Sequence, residues 1–179
     1  MPNQMKEVLQ GTLEPGLQLL SLIQLRFACM IHVMYFACMR AEECLDLDTA
    51  TINVFSNGNL QLTVTKSKTI QFCQPKQVFL IPVLESLACC LMRVLIVYYN
   101  ALHEAEGSKY LVPNFIRNRT VIPDSKMSYN NVRSLWVQHL QKYQLPDTDK
   151  TKIGLHSLRI SSAINASYGC SKVEIQGLG

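Results

Sequence analysis

One long apolar segment constrains this chain more than any other feature. Residues 17–39 are mostly hydrophobic, and a second apolar segment spans residues 78–102. The first segment also carries Arg26 and His32, and the second carries Arg93. An Arg near the centre of a lipid-facing helix costs about 2.5–3.5 kcal/mol. Both segments are therefore predicted to be buried helices of a folded protein and not membrane spans.

Apolar side chains recur at intervals of three and four in the first segment, which is the spacing of one helix face. They are Leu19, Leu22, Ile23, Phe27, Met30, Ile31, Met34 and Tyr35. This pattern predicts a helix with a wide apolar face turned towards the core.

The periodicity changes to two in the middle of the chain. "TINVF" and "LQLTVT" flank Asn57-Gly58, a pair that is typical of tight hairpin turns because both residues tolerate positive φ. In the second run Leu60, Leu62 and Val64 share one face. "VFLIP" follows as a third strand that Pro82 ends. The sequence therefore predicts a small three-stranded antiparallel sheet.

Helical spacing returns over residues 84–101 and again over residues 129–143. The chain has 179 residues, of which 48% are hydrophobic and 17% charged, and it contains no repeat or long linker. These observations predict one domain over residues 1–179 with an α+β, mainly α, fold: a helical domain with a small three-stranded sheet.

Net charge and cysteine content say little about the function of the chain. The net charge of +4 permits a nucleic-acid partner without requiring one. The seven cysteines show no CxxC spacing and no signal peptide precedes them, so we expect inert thiols in an intracellular, reducing compartment. The four histidines contain no pair at helical ligand spacing. We therefore expect no metal and no small-molecule cofactor.

Three short motifs occur in an order that resembles the catalytic domain of the tyrosine recombinases, the phage integrase family. "FACMRAEECLDL" resembles the first conserved box, with Arg40 on a helix and Glu43 three residues later. "TVTKSKT" resembles the hairpin that carries the family's lysine, here Lys68. "HSLR" matches the second box, His-x-x-Arg, with His156 and Arg159. The "SKT" after a short hairpin looks most like recombinases of eukaryotic mobile elements, such as Cryptons and tyrosine-recombinase retrotransposons.

The resemblance implies a role for each of these residues in cleaving a DNA phosphodiester. Arg40 and Arg159 would clamp the scissile phosphate, since planar guanidiniums donate paired hydrogen bonds to an anion. Lys68 would protonate the leaving 5′ oxygen, and His156 would donate to the phosphate or move a proton. Glu43 would orient Arg40 without taking part in the chemistry.

Simpler interpretations of the same residues stay open. Arg40 and Glu43 are spaced like an ordinary surface ion pair. Lys66 and Lys68 are also typical of the charges that protect the edges of sheets, and Lys66 could take the place assigned to Lys68. A single His-x-x-Arg motif has many structural explanations, so the functional interpretation depends on the ordered set of motifs.

The resemblance covers roughly residues 20–179 and implies that parts of the family pattern are missing. After the second box the family continues with a Leu-Gly-His or Leu-Gly-Arg-Trp segment and then the helix with the nucleophilic tyrosine, whereas this sequence ends in "EIQGLG". None of its seven tyrosines, Tyr168 included, takes the nucleophile's place in the order. We therefore expect a C-terminally truncated catalytic domain that also lacks the N-terminal DNA-clamp domain.

Three functions are compatible with the sequence. The first is a site-specific recombinase or integrase domain that clamps the scissile phosphate of double-stranded DNA and is inactive as given. The second is a catalytically dead DNA-binding or interaction module derived from a mobile element. The third is a helical interaction protein with no nucleic-acid role. The first two imply a DNA partner, a possible homo-oligomer on DNA, no membrane association, and a nuclear location if the source is eukaryotic.

Overall fold

Helices dominate the structure, a computed structural model that describes residues 20–55, 60–65, 77–81, 91–105, 107–116, 120–143 and 153–167. These residues form five α-helices: α1 Leu22–Phe36, α2 Ala41–Leu45, α3 Leu91–Glu104, α4 Tyr129–Leu140 and α5 Leu155–Ser167. They also form five strands: β1 Ile52–Val54, β2 Leu60–Val64, β3 Gln77–Ile81, β4 Pro113–Ile116 and β5 Thr120–Lys126. The predicted fold class, mainly helical with a small antiparallel sheet, is confirmed.

Helix α1 lies at the centre of the core and packs against α3 and α5. It starts at a capping box in which Ser21 Oγ accepts a hydrogen bond from the Gln24 backbone N–H, and Gln24 Oε1 accepts one from the Ser21 N–H at 2.9 Å. Every residue from Ala28 to Tyr35 is buried. The prediction of one wide apolar face was therefore too narrow, because a helix buried on all sides needs no polar stripe.

The predicted three-stranded sheet is confirmed, with antiparallel strands in the order β1-β2-β3. Leu62 of β2 pairs with Ile52 of β1 on one side and with Phe79 of β3 on the other. Leu60, Leu62 and Val64 are all buried, as the alternation predicted. The predicted Asn57-Gly58 turn lies outside the described residues.

A second sheet, the β4–β5 hairpin, was not predicted. Its attachment to α1 explains why Arg26 is buried within an apolar segment. Arg26 Nη1 donates a hydrogen bond to the Pro113 carbonyl oxygen at 2.6 Å, and its guanidinium lies 4.3 Å from the centre of the Phe115 ring. Burial lowers the pKa of Arg26 to about 10, so the side chain stays charged at neutral pH.

The later helices differ from the predicted ranges at their described ends. Helix α3 is described from Leu91 to Glu104, whereas the prediction covered residues 84–101, of which 84–90 lie outside the described residues. Helix α4 starts at the predicted Tyr129 but ends at Leu140, because the chain forms a turn over residues 141–143.

The described cysteines fit the expectation of buried thiols, since Cys29, Cys38 and Cys44 are all free and buried. The other four cysteines lie outside the described residues. Within the described ranges no helix is long and apolar enough to cross a membrane.

One buried histidine gives the core a dependence on pH. His32 of α1 is fully buried, and its Nδ1 donates a hydrogen bond to the Ala28 carbonyl oxygen at 2.8 Å. Its Nε2 has no hydrogen-bond partner among the described residues. Burial lowers the pKa of His32 from 6.5 to about 4, because the charged imidazolium would lose its hydration. The folded protein therefore keeps His32 neutral at pH values at which the unfolded chain binds a proton.

We predict that His32 makes the folded protein less stable as the pH falls from about 6.5 to 4. The unfolded state binds more protons in this window, so the free energy of unfolding decreases, by up to about 3 kcal/mol for this residue. His32→Leu should reduce the difference between the free energies of unfolding measured with urea at neutral and at acidic pH. His103→Leu, at an exposed position of α3, is the matched control and should keep the wild-type difference. An unchanged pH dependence in His32→Leu would contradict this account.

Candidate functional site

A cleft of about 200 Å³ opens where the starts of three helices meet. This volume is several times the share of one water molecule in the liquid, about 30 Å³. The lining residues come from the turn before α2 and from α2, α4 and α5: Met39, Arg40, Ala41, Glu42, Tyr129, Leu155, His156 and Arg159. Three of the predicted site residues, Arg40, His156 and Arg159, therefore line one cleft, although more than a hundred residues separate the first from the others in sequence.

The turn after α1 brings Arg40 to this cleft. The chain reverses at Cys38, whose φ of 50° lies in the left-handed region. The Met39 backbone N–H donates to the Met34 carbonyl oxygen at 3.1 Å and ties the turn to the end of α1. Arg40 directly precedes α2 at the N-cap position, so the prediction that it lies on a helix was wrong by one residue.

Glu43 holds Arg40 through two hydrogen bonds. Glu43 Oε2 accepts from the Arg40 backbone N–H at 2.8 Å, and Glu43 Oε1 accepts from Arg40 Nη1 at 2.8 Å. The side chain of Glu43 is 7% exposed, whereas that of Arg40 is 36% exposed. A buried carboxylate thus fixes one end of the guanidinium and leaves the other donors accessible from the cleft. In an ordinary surface ion pair both side chains are exposed. Here the side chain of Glu43 is buried.

Helix α5 carries His156 and Arg159 on adjacent positions of its surface, one turn apart. Leu155 and Leu158 are buried and anchor this first turn in the core. Trp136 of α4 donates a hydrogen bond from Nε1 to the Ile153 carbonyl oxygen at 3.0 Å. Ile153 lies two residues before Leu155, the first residue of α5, so this hydrogen bond fixes where the helix begins. It thereby also fixes where the exposed His156 meets the cleft.

The charged groups around the cleft are of both signs. Arg40 and Arg159 contribute two cations, and the helix starts at Tyr129 and Leu155 add the partial positive charge of two helix N-termini. Glu42 is exposed and also lines the cleft. An anion with hydrogen-bond acceptors on several sides suits this arrangement, since guanidinium donors approach from two different elements.

The structure adds Tyr129 to the site, a residue that sequence reasoning passed over. Tyr129 is the first residue of α4 and is 45% exposed. The β4–β5 hairpin positions Tyr129 beside α2. Lys126, at the end of β5 and three residues before Tyr129, forms an ion pair with Asp46 just after α2. No sequence pattern predicted this hairpin, so nothing in the sequence placed Tyr129 beside Arg40.

Other predicted site residues lie outside the described residues. Lys68 and the alternative Lys66 belong to residues 66–76, and Tyr168 and the "EIQGLG" segment belong to residues 168–179. Their roles stay predictions. Within the described part of the chain no group of three or more His, Cys, Asp or Glu side chains is arranged to hold a metal ion.

Comparisons with known proteins show which folds this chain resembles. No protein-family profile matches the chain, and no curated protein matches it in sequence. Solved structures do match. The XerH site-specific recombinase bound to its difH substrate in a pre-cleavage complex superposes with a TM-score of 0.67 at 15% identity. A lambda integrase tetramer bound to a Holliday junction gives a TM-score of 0.57 at 16% identity. The Tn1549 transposon integrase bound to circular intermediate DNA gives 0.53 at 14% identity.

These matches cover nearly the whole of this chain but only part of each structure. The alignments include 98%, 96% and 99% of this chain and 45%, 43% and 55% of the XerH, lambda and Tn1549 chains, respectively. The chain therefore spans about half the length of these proteins. The chain has the fold that the resemblance to the tyrosine recombinases predicted, the fold shared by these site-specific recombinase and integrase structures.

Proposed function

We propose that this chain is a tyrosine-recombinase-like domain that binds double-stranded DNA and grips one backbone phosphate between Arg40 and Arg159. The observation that carries the proposal is the shared cleft, in which an arginine fixed by a buried carboxylate faces a second arginine and a histidine from a distant helix. The three DNA-bound recombinase and integrase structures with the same fold support a DNA partner.

The cleft suits the charge that develops when a phosphodiester is displaced. Negative charge builds on the non-bridging oxygens, and donors fixed in advance stabilise it without reorganising. Glu43 fixes Arg40, and Arg159 extends from a helix, α5, whose Leu155 and Leu158 are anchored in the core. His156, at the exposed entrance, then donates to the phosphate or moves a proton, and Lys68 is proposed as the acid for the leaving 5′ oxygen.

Gripping the phosphate is only part of strand cleavage, which also needs a nucleophile. In the proposed reaction a tyrosine hydroxyl gives its proton to a base such as His156, and its oxygen attacks the phosphorus. A 3′-phosphotyrosyl bond forms as the bond from phosphorus to the 5′ oxygen breaks, and the 5′ oxygen leaves with a proton from Lys68. We propose that these 179 residues by themselves bind DNA without cleaving it. The alternative, a catalytically inactive DNA-binding module derived from a mobile element, predicts the same binding.

We predict that Arg40→Ala and Arg159→Ala each weaken binding to a short DNA duplex by about 10- to 100-fold, since a hydrogen bond to a charged group contributes about 1.5–3 kcal/mol. Each should also make the dependence of log K on log salt shallower by about one. Arg40→Lys should restore only part of the affinity, because an ammonium cannot donate paired bonds from one plane. Fluorescence anisotropy between about 50 and 200 mM salt measures both quantities.

Arg93→Ala is the matched control, since Arg93 is exposed on α3 and does not line the cleft. It should bind DNA within about twofold of wild type. Equal losses in Arg93→Ala and Arg40→Ala would show that binding depends on net charge and not on the cleft. Binding that is absent at low salt would favour an interaction protein with no nucleic-acid role.

We also predict that the 179-residue chain forms no covalent adduct on a nicked suicide duplex. Oriented attack is worth roughly 7–11 kcal/mol of a reaction barrier, and a phosphate grip without a positioned nucleophile lacks it. A denaturing gel of labelled DNA measures the adduct. Adduct should appear when a tyrosine-bearing segment is supplied, in a longer chain or by a neighbouring subunit, and should be lost again with Arg159→Ala.

Tyr129 provides the critical control for that experiment, because it is a tyrosine that lies in the cleft. Tyr129→Phe keeps the ring and removes the only nucleophilic atom of the side chain. An adduct that forms with the 179-residue chain and disappears in Tyr129→Phe would contradict the prediction and identify Tyr129 as a nucleophile.

A further inference from the structure

A side-chain contact connects the two elements that carry the cleft arginines. Cys38 Sγ, in the turn after α1, lies 3.0 Å from Ser162 Oγ on α5, and either atom can donate the hydrogen bond. Both residues are buried, with exposures of 7% and 6%. We infer that Cys38 and Ser162 are positioning residues that hold Arg40 and Arg159 at the separation needed to grip one phosphate. This inference rests on the function proposed above.

The location of the contact is what links it to the arginines. Cys38 precedes Arg40 by two residues within the same short turn, and Ser162 follows Arg159 by three residues on α5. Residues three apart on a helix are neighbours on its surface. The hydrogen bond thus joins the turn that carries Arg40 to the helix that carries Arg159.

The backbone at Cys38 is a second, independent observation. Among the described residues Cys38 is the one non-glycine residue in the left-handed region, with φ of 50°. Glycine is the usual residue where a helix ends in this conformation, because a Cβ costs about 1 kcal/mol there. Glycine, however, has no side chain that could reach Ser162. A strained residue with a partner on α5 indicates that the contact matters more than a relaxed turn.

A contact that served only stability would behave differently from one that positions the arginines. Loss of a purely structural contact lowers the melting temperature but leaves the folded protein with normal affinity for DNA. Loss of a positioning contact weakens binding even where stability is kept. Cys38→Gly separates these cases, because it relieves the backbone strain while it removes the thiol.

The experiment measures DNA affinity and melting temperature for Cys38→Gly, Ser162→Ala and Cys38→Ser, with binding recorded well below the melting temperature of each variant. Cys38→Gly should melt no lower than Ser162→Ala, yet both should bind a short duplex about 3- to 10-fold more weakly than wild type. Cys38→Ser keeps a donor and acceptor at this position and should stay within about twofold of wild type.

Double variants test whether the effect passes through the arginines. Ser162→Ala should cause no further loss in an Arg40→Ala background, where the grip is already broken, but its full loss in an Arg93→Ala background. Wild-type affinity in both Cys38→Gly and Ser162→Ala, or equal further losses in the two backgrounds, would overturn the inference. If Arg40→Ala and Arg159→Ala also leave binding unchanged, the proposed function itself fails. If they weaken binding and the Cys38 and Ser162 variants do not, only the positioning role fails.

Discussion

The burial of helix α1 on all sides over residues 28–35 is the constraint on which the rest of the described structure depends. α3 and α5 pack against it, and the β4–β5 hairpin is tied to it through Arg26. Deleting a buried aliphatic side chain from a protein core typically costs about 2–5 kcal/mol, a large share of the total stability of a domain. The position where α1 ends therefore fixes the turn that follows, and with it the backbone of Arg40.

The cleft is a consequence of this packing and of polar contacts at its edges. Glu43 fixes Arg40 through two hydrogen bonds. The hydrogen bond from Trp136 to the carbonyl oxygen of Ile153 sets the start of α5. A site assembled from the starts of helices places side chains on rigid elements and directs backbone N–H groups towards one place. Binding an anion then requires little rearrangement, which is the condition under which charged hydrogen bonds contribute most.

Sequence patterns predicted the elements whose signal is local. Alternation placed Leu60, Leu62 and Val64 on the buried face of β2, and helical spacing found α1. Two features could not be predicted from the sequence because contacts between distant parts of the chain determine them. The β4–β5 hairpin contains Pro113 and Pro123 and no clear alternation, and contacts with Arg26 and Asp46 hold it in place. The contact between Cys38 and Ser162 joins residues that are 124 positions apart, and neither residue type signals a role. Arg40, His156 and Arg159 were singled out only because three motifs occurred in order.

An experimentally determined structure of this chain bound to a DNA duplex would test most directly whether Arg40 and Arg159 grip the same phosphate. We expect one backbone phosphate in the cleft, with both guanidiniums within hydrogen-bonding distance of its non-bridging oxygens and with His156 beside it. DNA bound on another face, or an empty cleft with the two arginines contacting different phosphates, would contradict it.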